Sequence, residues 1–211
     1  RNFTKKNNIV LIFDECTTGF RRCLGGIHKT TSIQPDLAMF GKALGNGYAI
    51  TAVLGSKKIM DKTSKSFISS TFWSEKIGFV AGLSTIEEME KTKSWEKIIY
   101  LGKYINKEWL KLKAKYNLDF QIKGIESMTS FVFKKNHLKY KTFITQEMLK
   151  NNILATNMIF LTTKHDKKKI NRYLKILNII FKKIFYIEKN NLKIDNFIES
   201  PVCHDTFKRL G

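Results

Sequence analysis

Lys42 and Asp14 are the two side chains whose surroundings suit them to covalent and acid–base chemistry. Lys42 lies in Phe40-Gly41-Lys42-Ala43-Leu44-Gly45-Asn46-Gly47-Tyr48, directly after the apolar run Leu37-Ala38-Met39-Phe40. A lysine delivered from a buried strand into a glycine-rich turn is expected to be partly desolvated, which disfavours the ammonium and frees the amine to attack a carbonyl. Lysine as a type says nothing here, because the 211-residue chain carries 38 Lys and Arg against 18 Asp and Glu, and an arbitrary lysine is a solvated surface group. Asp14 follows the apolar run Ile9-Val10-Leu11-Ile12-Phe13. That run reads as a strand over 9–13 buried on both faces, the pattern of a parallel sheet. Ligands of open α/β sheets sit at the carboxyl ends of strands, so Asp14 is placed to face a bound group. A carboxylate there can equally cap the next turn or helix.

Asp14-Glu15-Cys16-Thr17-Thr18-Gly19-Phe20-Arg21 and Gly41-Lys42-Ala43-Leu44-Gly45-Asn46-Gly47-Tyr48 together resemble two motifs of the class III, fold type I aminotransferases, which use pyridoxal 5'-phosphate (PLP). The resemblance continues through Ser69-Ser70-Thr71-Phe72-Trp73-Ser74-Glu75. It extends to Pro201-Val202-Cys203-His204 and Phe207-Lys208-Arg209-Leu210, and so covers nearly the whole chain. The branch it is most similar to is the glutamate-1-semialdehyde 2,1-aminomutase-like proteins. The implied fold is α/β: part of a fold type I large domain with an interdomain helix over residues 1–115, then a small α+β C-terminal domain over 116–211. The implied activity is amino-group transfer, as a transaminase or an aminomutase, by a cytoplasmic homodimer. Its substrates would be an amine or amino acid and a keto or aldehyde acceptor.

The resemblance also assigns residues. Lys42 would form the internal aldimine with PLP and later move a proton between the substrate carbon and the cofactor. Asp14 would keep the pyridine nitrogen protonated so that the ring accepts electrons. Cys16 stands where relatives place a small apolar residue against the ring face, and a buried free cysteine packs as a small hydrophobe. Thr17 lies one step further, near the ring hydroxyl. Thr71 would reach across a dimer interface to the PLP phosphate of the neighbouring subunit; on local sequence alone it is also a candidate helix cap. Glu15, Asp36, Arg21, His204 and Arg209 read as structural or interfacial.

The family's phosphate-binding helix start and the aromatic residue that stacks on the ring come from upstream of the aspartate strand. Only thirteen residues precede Asp14, position 1 is not Met, and no signal-peptide pattern is present. The expectation is therefore the C-terminal half of a longer enzyme, inactive alone.

A hydrophobic content of 43% is ordinary for a globular protein, and no apolar run approaches the roughly 20 residues that span a bilayer. Cysteines at 16, 23 and 203 give neither a metal pattern nor a disulfide framework, which fits free thiols in a reducing cytoplasm. The net charge of +20 and pI near 9.8 raise a different reading, a non-catalytic nucleic-acid-binding protein. Against it, only Arg1, Arg21, Arg22, Arg172 and Arg209 are arginine, the residue suited to bidentate phosphate contacts. The lysines are spread over the whole chain, so neither nucleic acid nor membrane is expected as a partner. An inactive aminotransferase relic stands as a further alternative.

The elements that must position these residues read as strands over 9–13, 37–40 and 50–54. A helix is expected from 75 to about 90, with Ile77, Val80, Ala81, Leu83, Ser84 and Ile86 to Met89 at helical spacing, and a second opens at Ser94 and runs to about 115. Strands over 121–123 and 128–133, a short helix over 142–151 and an extended segment over 153–161 follow. A basic helix over 167–186 carries the stripe Ile170, Tyr173, Leu174, Leu177, Ile180, Phe181 and Ile184.

Overall fold

The computed structural model describes residues 1–69, 71 and 74–204, with Ser64 described by its backbone alone. The chain divides into two compact units, Arg1–Lys97 and the part from Ile98 onward.

In the first unit, a short helix α1 (Asn2–Lys6) precedes strand β1 (Ile12–Asp14), which pairs in parallel with β2 (Leu37–Phe40). Strand β2 pairs antiparallel with β3 (Ala52–Gly55), giving the order β1-β2-β3, and a short helix α2 (Lys57–Met60) follows. Parallel pairing requires a long crossover. Here it is the irregular segment between Asp14 and Leu37, whose only helical part is the 3-10 turn Ile27–Thr30.

The expected strand over 9–13 buried on both faces is corrected. The paired strand starts at Ile12, and Ile9, Val10 and Ile12 are 47%, 47% and 50% exposed. The reason is packing: strand side chains leave the sheet through its faces, and Ile9, Val10 and Ile12 are not part of the small core in which the central β2 buries Ala38 and Phe40 with Leu44.

Helix α3 (Lys76–Thr92) begins on Glu75, whose carboxylate accepts the Ile77 N–H at 2.9 Å. It ends on Lys93 in left-handed conformation, whose N–H returns to the Met89 carbonyl. Its inward face is not the large apolar stripe expected from spacing. Gly78, Gly82 and Met89 are buried, with Ile86 packed against the small core, while Ile77, Val80 and Leu83 are exposed. A side chain at Gly78 would place its first carbon 2.5 Å from the Ala49 carbonyl oxygen, so the glycine lets the helix backbone lie against the segment leading into β3.

Helix α4 (Ser94–Lys115) runs through the division between the units, and its residues Ile98, Leu101, Ile105 and Trp109 belong to the core of the second. That unit has an antiparallel sheet of β4 (Phe120–Ile125), β5 (Met128–Phe133) and β6 (Met158–Phe160), in that order. Helix α5 (His137–Lys150) connects β5 to β6, and α6 (Lys167–Lys189) follows β6. Every residue of the expected α6 stripe is buried, joined by Ile187. Trp109 meets Phe131 edge-to-face at 4.8 Å, and Phe181 lies 5.5 Å from Phe131 and 5.7 Å from Phe120. Each such side chain, fully buried, stabilises by about 1.5–3 kcal/mol, so this aromatic centre dominates the unit. Helix α5 starts at His137, five residues before the expected point, because Tyr140 turns inward and its hydroxyl donates to Glu188 at 2.7 Å.

Candidate active site

Parallel pairing explains why two segments far apart in sequence meet. In a parallel pair both strands end on the same edge, and neighbouring strands lie about 4.8 Å apart. Asp14 ends β1 opposite Met39 of β2; one residue later β2 finishes, and Gly41 leads into Lys42. The strand-end expectation for Asp14 is met.

Each side chain is aimed by local hydrogen bonds. Asp14 Oδ1 accepts the Cys16 N–H at 3.0 Å, an Asx turn that points the carboxylate over the turn after β1. The Asp14 carboxyl is held below the usual carboxylate range, first by the Cys16 backbone N–H, then by the Cys16 thiol, with a contribution from the Lys42 charge. The hydrogen bond to Asp14, then burial and the Asp14 charge, push the Cys16 thiol up against the opposing Lys42 charge. Cys16 is half-buried and packs toward Gly41: a side chain at Gly41 would come within 3.7 Å of its sulfur. Lys42 Nζ donates to Thr17 Oγ1. Among the described residues, Lys42, Thr17, Asp14 and Cys16 therefore form one cluster at the carboxyl ends of β1 and β2.

The Lys42 backbone is unusual. Gly41 is fully extended, and Lys42 then turns to φ +45° at the head of the 3-10 turn Lys42–Leu44. Left-handed backbone costs an L-residue about 1–2 kcal/mol, and such strain persists only where the surroundings impose it. The anchors are buried Leu44, whose N–H returns to the Gly41 carbonyl at 3.0 Å, and the Asn46 N–H, which donates to the Lys42 carbonyl at 3.1 Å. Lys93, the other lysine at positive φ among the described residues, merely caps a helix. The expected partial desolvation of Lys42 is corrected: its side chain is exposed. Burial stops at the glycines around it, since Gly41 and Gly45 are buried while the lysine projects from the turn.

Thr71 is exposed in a turn before α3; its neighbours Ser70, Phe72 and Trp73 lie outside the described residues, as do Phe207, Lys208, Arg209 and Leu210. Asp36 has a structural role at the opposite end of β2. It accepts from both Arg1 guanidinium nitrogens at 2.5 and 2.6 Å and from the Leu11 N–H at 2.9 Å.

Glu15, read from the sequence as structural, is buried to an extent that reading did not indicate. Its side chain is 1% exposed. Burial pushes its carboxyl up, but hydrogen bonds from Ile27, Thr18 and His28 outweigh that and bring it below the ordinary value. The available signal was strand alternation, which sends residues 14 and 16 to one side and residue 15 to the other. Cys16, Cys23 and Cys203 are free thiols, and the described residues contain no metal-binding cluster and no helix long and apolar enough to cross a membrane.

The aminotransferase class-III family model matches residues 1–165. The chain is 30% identical over 203 residues to glutamate-1-semialdehyde 2,1-aminomutase of Methanosphaera stadtmanae, covering 88% of this chain and 48% of that protein. It is 33% identical over 158 residues to 3-aminobutyryl-CoA aminotransferase of Cloacimonas acidaminovorans, covering 72% of this chain and 38% of that one. Among solved structures, the FumI protein of a Sphingopyxis species, in its PLP internal aldimine form, superposes with a TM-score of 0.82. The identity is 23%, with 92% of this chain and 47% of that chain covered, a likeness of fold. The chain thus spans about half the length of the curated relatives it matches. By its family-model match and its matched relatives, the chain belongs to the class-III aminotransferases.

Proposed function

We propose that this chain supplies the reactive lysine and the ring-nitrogen carboxylate of a PLP-dependent amino-group transferase, a transaminase or aminomutase. The observation that carries the reading is the placement of the Lys42 amine and the Asp14 carboxylate at adjacent parallel strand ends, with Thr17 bonded to the amine. The residues fit the cofactor chemically. A primary amine is present for its aldehyde, an ionised carboxylate for its pyridinium, and a half-buried thiol for its flat face. The relatives' names, an aminomutase and an aminotransferase, favour the same chemistry.

When bound, PLP supplies an electron-withdrawing ring that takes up the electron pair freed at the substrate carbon. The chain's own residues do the rest. Lys42 would hold the cofactor through its aldehyde, and its amine, once free, would be the group that moves a proton at the substrate carbon. Asp14, kept ionised by the Cys16 N–H, holds the proton on the ring nitrogen; a carboxylate aimed where charge develops gains value as the reaction proceeds. Cys16 would wall the ring, and Thr17, bonded to the Lys42 amine, would orient that amine. Thr71 completes the phosphate site of a neighbouring subunit, which makes the working enzyme a homodimer. Its substrates are an amine or amino acid and a keto or aldehyde acceptor. Three free cysteines favour a reducing compartment, the cytoplasm.

In the complete enzyme, incubation with PLP, borohydride reduction and peptide mapping tests the assignment. The pyridoxyl group should concentrate on Lys42. Label spread over the surface lysines, or concentrated on another one, would overturn it.

A further inference from the structure

We propose that Glu15 is the positioning residue of this site, the buried group that holds the Asp14–Thr18 turn against the Lys42 turn; this rests on the functional reading above. Glu15 is the most buried carboxylate among the described residues, at 1% exposure. Its Oε2 accepts the Thr18 hydroxyl at 2.7 Å and the Ile27 N–H at 3.0 Å. Its Oε1 accepts the His28 N–H at 3.1 Å and faces His28 Nδ1 at 3.1 Å. One carboxylate thus closes two loops, the tight one to Thr18 and the wide one to residues 27 and 28.

The main chain of Glu15 ties the same point to the sheet. Its N–H donates to the Met39 carbonyl at 2.8 Å, extending the ladder to β2, and its carbonyl accepts the Gly19 N–H at 2.7 Å. The turn so wound presents Asp14 and Cys16 on one side and Thr17 to the Lys42 amine. It also seats Phe20 edge-to-face on Phe40 at 5.6 Å, the residue two before Lys42. The approach is close: a side chain at Gly19 would fall 2.8 Å from the Phe40 ring and 2.7 Å from the Glu15 carbonyl oxygen. Glu15 touches none of the reacting groups, yet both the aspartate and the partner of the lysine hang from the turn it braces.

The test compares Glu15→Gln, Thr18→Val and Asp36→Asn, each made in the complete enzyme, with the unsubstituted enzyme. Glutamine keeps the size but turns an amide donor toward N–H groups, leaving a buried donor unpaired. Thr18→Val deletes one donor at constant shape. Asp36→Asn weakens a carboxylate bonded to Arg1 and Leu11, away from the turn, and controls for general loss of stability.

Two readouts apply. Amide hydrogen exchange at Cys16 and across residues 41–48 needs no cofactor. The share of pyridoxyl label on Lys42, after PLP and borohydride, reports the site. Glu15→Gln should speed that exchange by roughly tenfold, the factor given by about 1.4 kcal/mol, and lower the Lys42 share. Thr18→Val should do both to a lesser degree, and Asp36→Asn should leave the Lys42 share unchanged.

A folded Glu15→Gln with ordinary exchange at Cys16 and an ordinary Lys42 share overturns the proposal. So does Asp36→Asn lowering the Lys42 share as much at equal loss of stability. If Glu15→Gln does not fold, by circular dichroism, Thr18→Val decides on the same readouts. If the unsubstituted complete enzyme shows no preference for Lys42, the functional reading fails, while the exchange data still judge the role of Glu15.

Discussion

The left-handed backbone of Lys42 makes its replacement a sharp test of whether the turn is held as the structure shows. At φ +45° an L-residue is penalised by about 1–2 kcal/mol, which glycine escapes. Glycine gives back about 0.5–1 kcal/mol because its unfolded chain is freer. Lys42→Gly should therefore be more stable than Lys42→Ala by about 1 kcal/mol, although both remove the same amine. With a urea slope near 1 kcal/mol/M for a small unit, the two midpoints should differ by about 1 M. The assay is urea unfolding followed by hydrogen exchange in peptides from residues 1–97. Lys93, at φ +46° on the end of α3, provides the reference. Lys93→Gly should exceed Lys93→Ala by a similar margin, and both should keep the pyridoxyl label on Lys42, which both Lys42 variants lose. Equal stability of Lys42→Gly and Lys42→Ala, with the expected gap at Lys93, would refute a turn that imposes left-handed backbone on the lysine.

In the complete enzyme, Asp14→Asn should retain PLP but lower turnover by several powers of ten, each tenfold step being roughly 1.4 kcal/mol of lost transition-state stabilisation; near-normal turnover would contradict its role. Glu15, whose folded pKa lies below the ordinary value of 4.5, stabilises fully above that pH and loses its contribution as pH falls through the folded value. Exchange at the Ile27 and His28 amides should accordingly stay slow at pH 6 and accelerate, beyond the intrinsic rate, only below about 4.5. The exposed Ile77, Phe79, Val80 and Leu83 of α3 should drive association, since contiguous apolar surface is rarely left open. Sedimentation should show Val80→Lys with Leu83→Lys shifting the chain toward the monomer.

Much of the framework was legible in the sequence because periodicity records which face of an element is buried. The α6 stripe from Ile170 to Ile184 and strand β5 (Met128–Phe133) appear in the structure as read. Helix α3 shows where periodicity misleads. Its apolar residues recur at helical spacing, yet two glycines, with Met89, are the buried positions, because close backbone approach is a property of the partner and leaves no hydrophobic signal. Strand β1 misleads in another way, since an apolar run does not reveal whether anything packs on the faces of a strand.

For the site, the sequence alone determined the chemistry on offer: an amine in a glycine-rich turn and a carboxylate after an apolar run, in motifs that belong together. Residue types and their order along the chain carry that information directly. Tertiary structure decided the rest. Parallel pairing brought positions 14 and 42 to one edge, and the hydrogen bond from Lys42 to Thr17 set the direction of the amine. Exposure of Lys42 and burial of Glu15 were also decided there, because burial depends on what packs against a side chain and not on its neighbours in sequence. Glu15 carries the same charge as Asp14 and stands next to it, and only the path of the loop through Ile27 and His28 turned one inward as a brace and left the other at the open strand end.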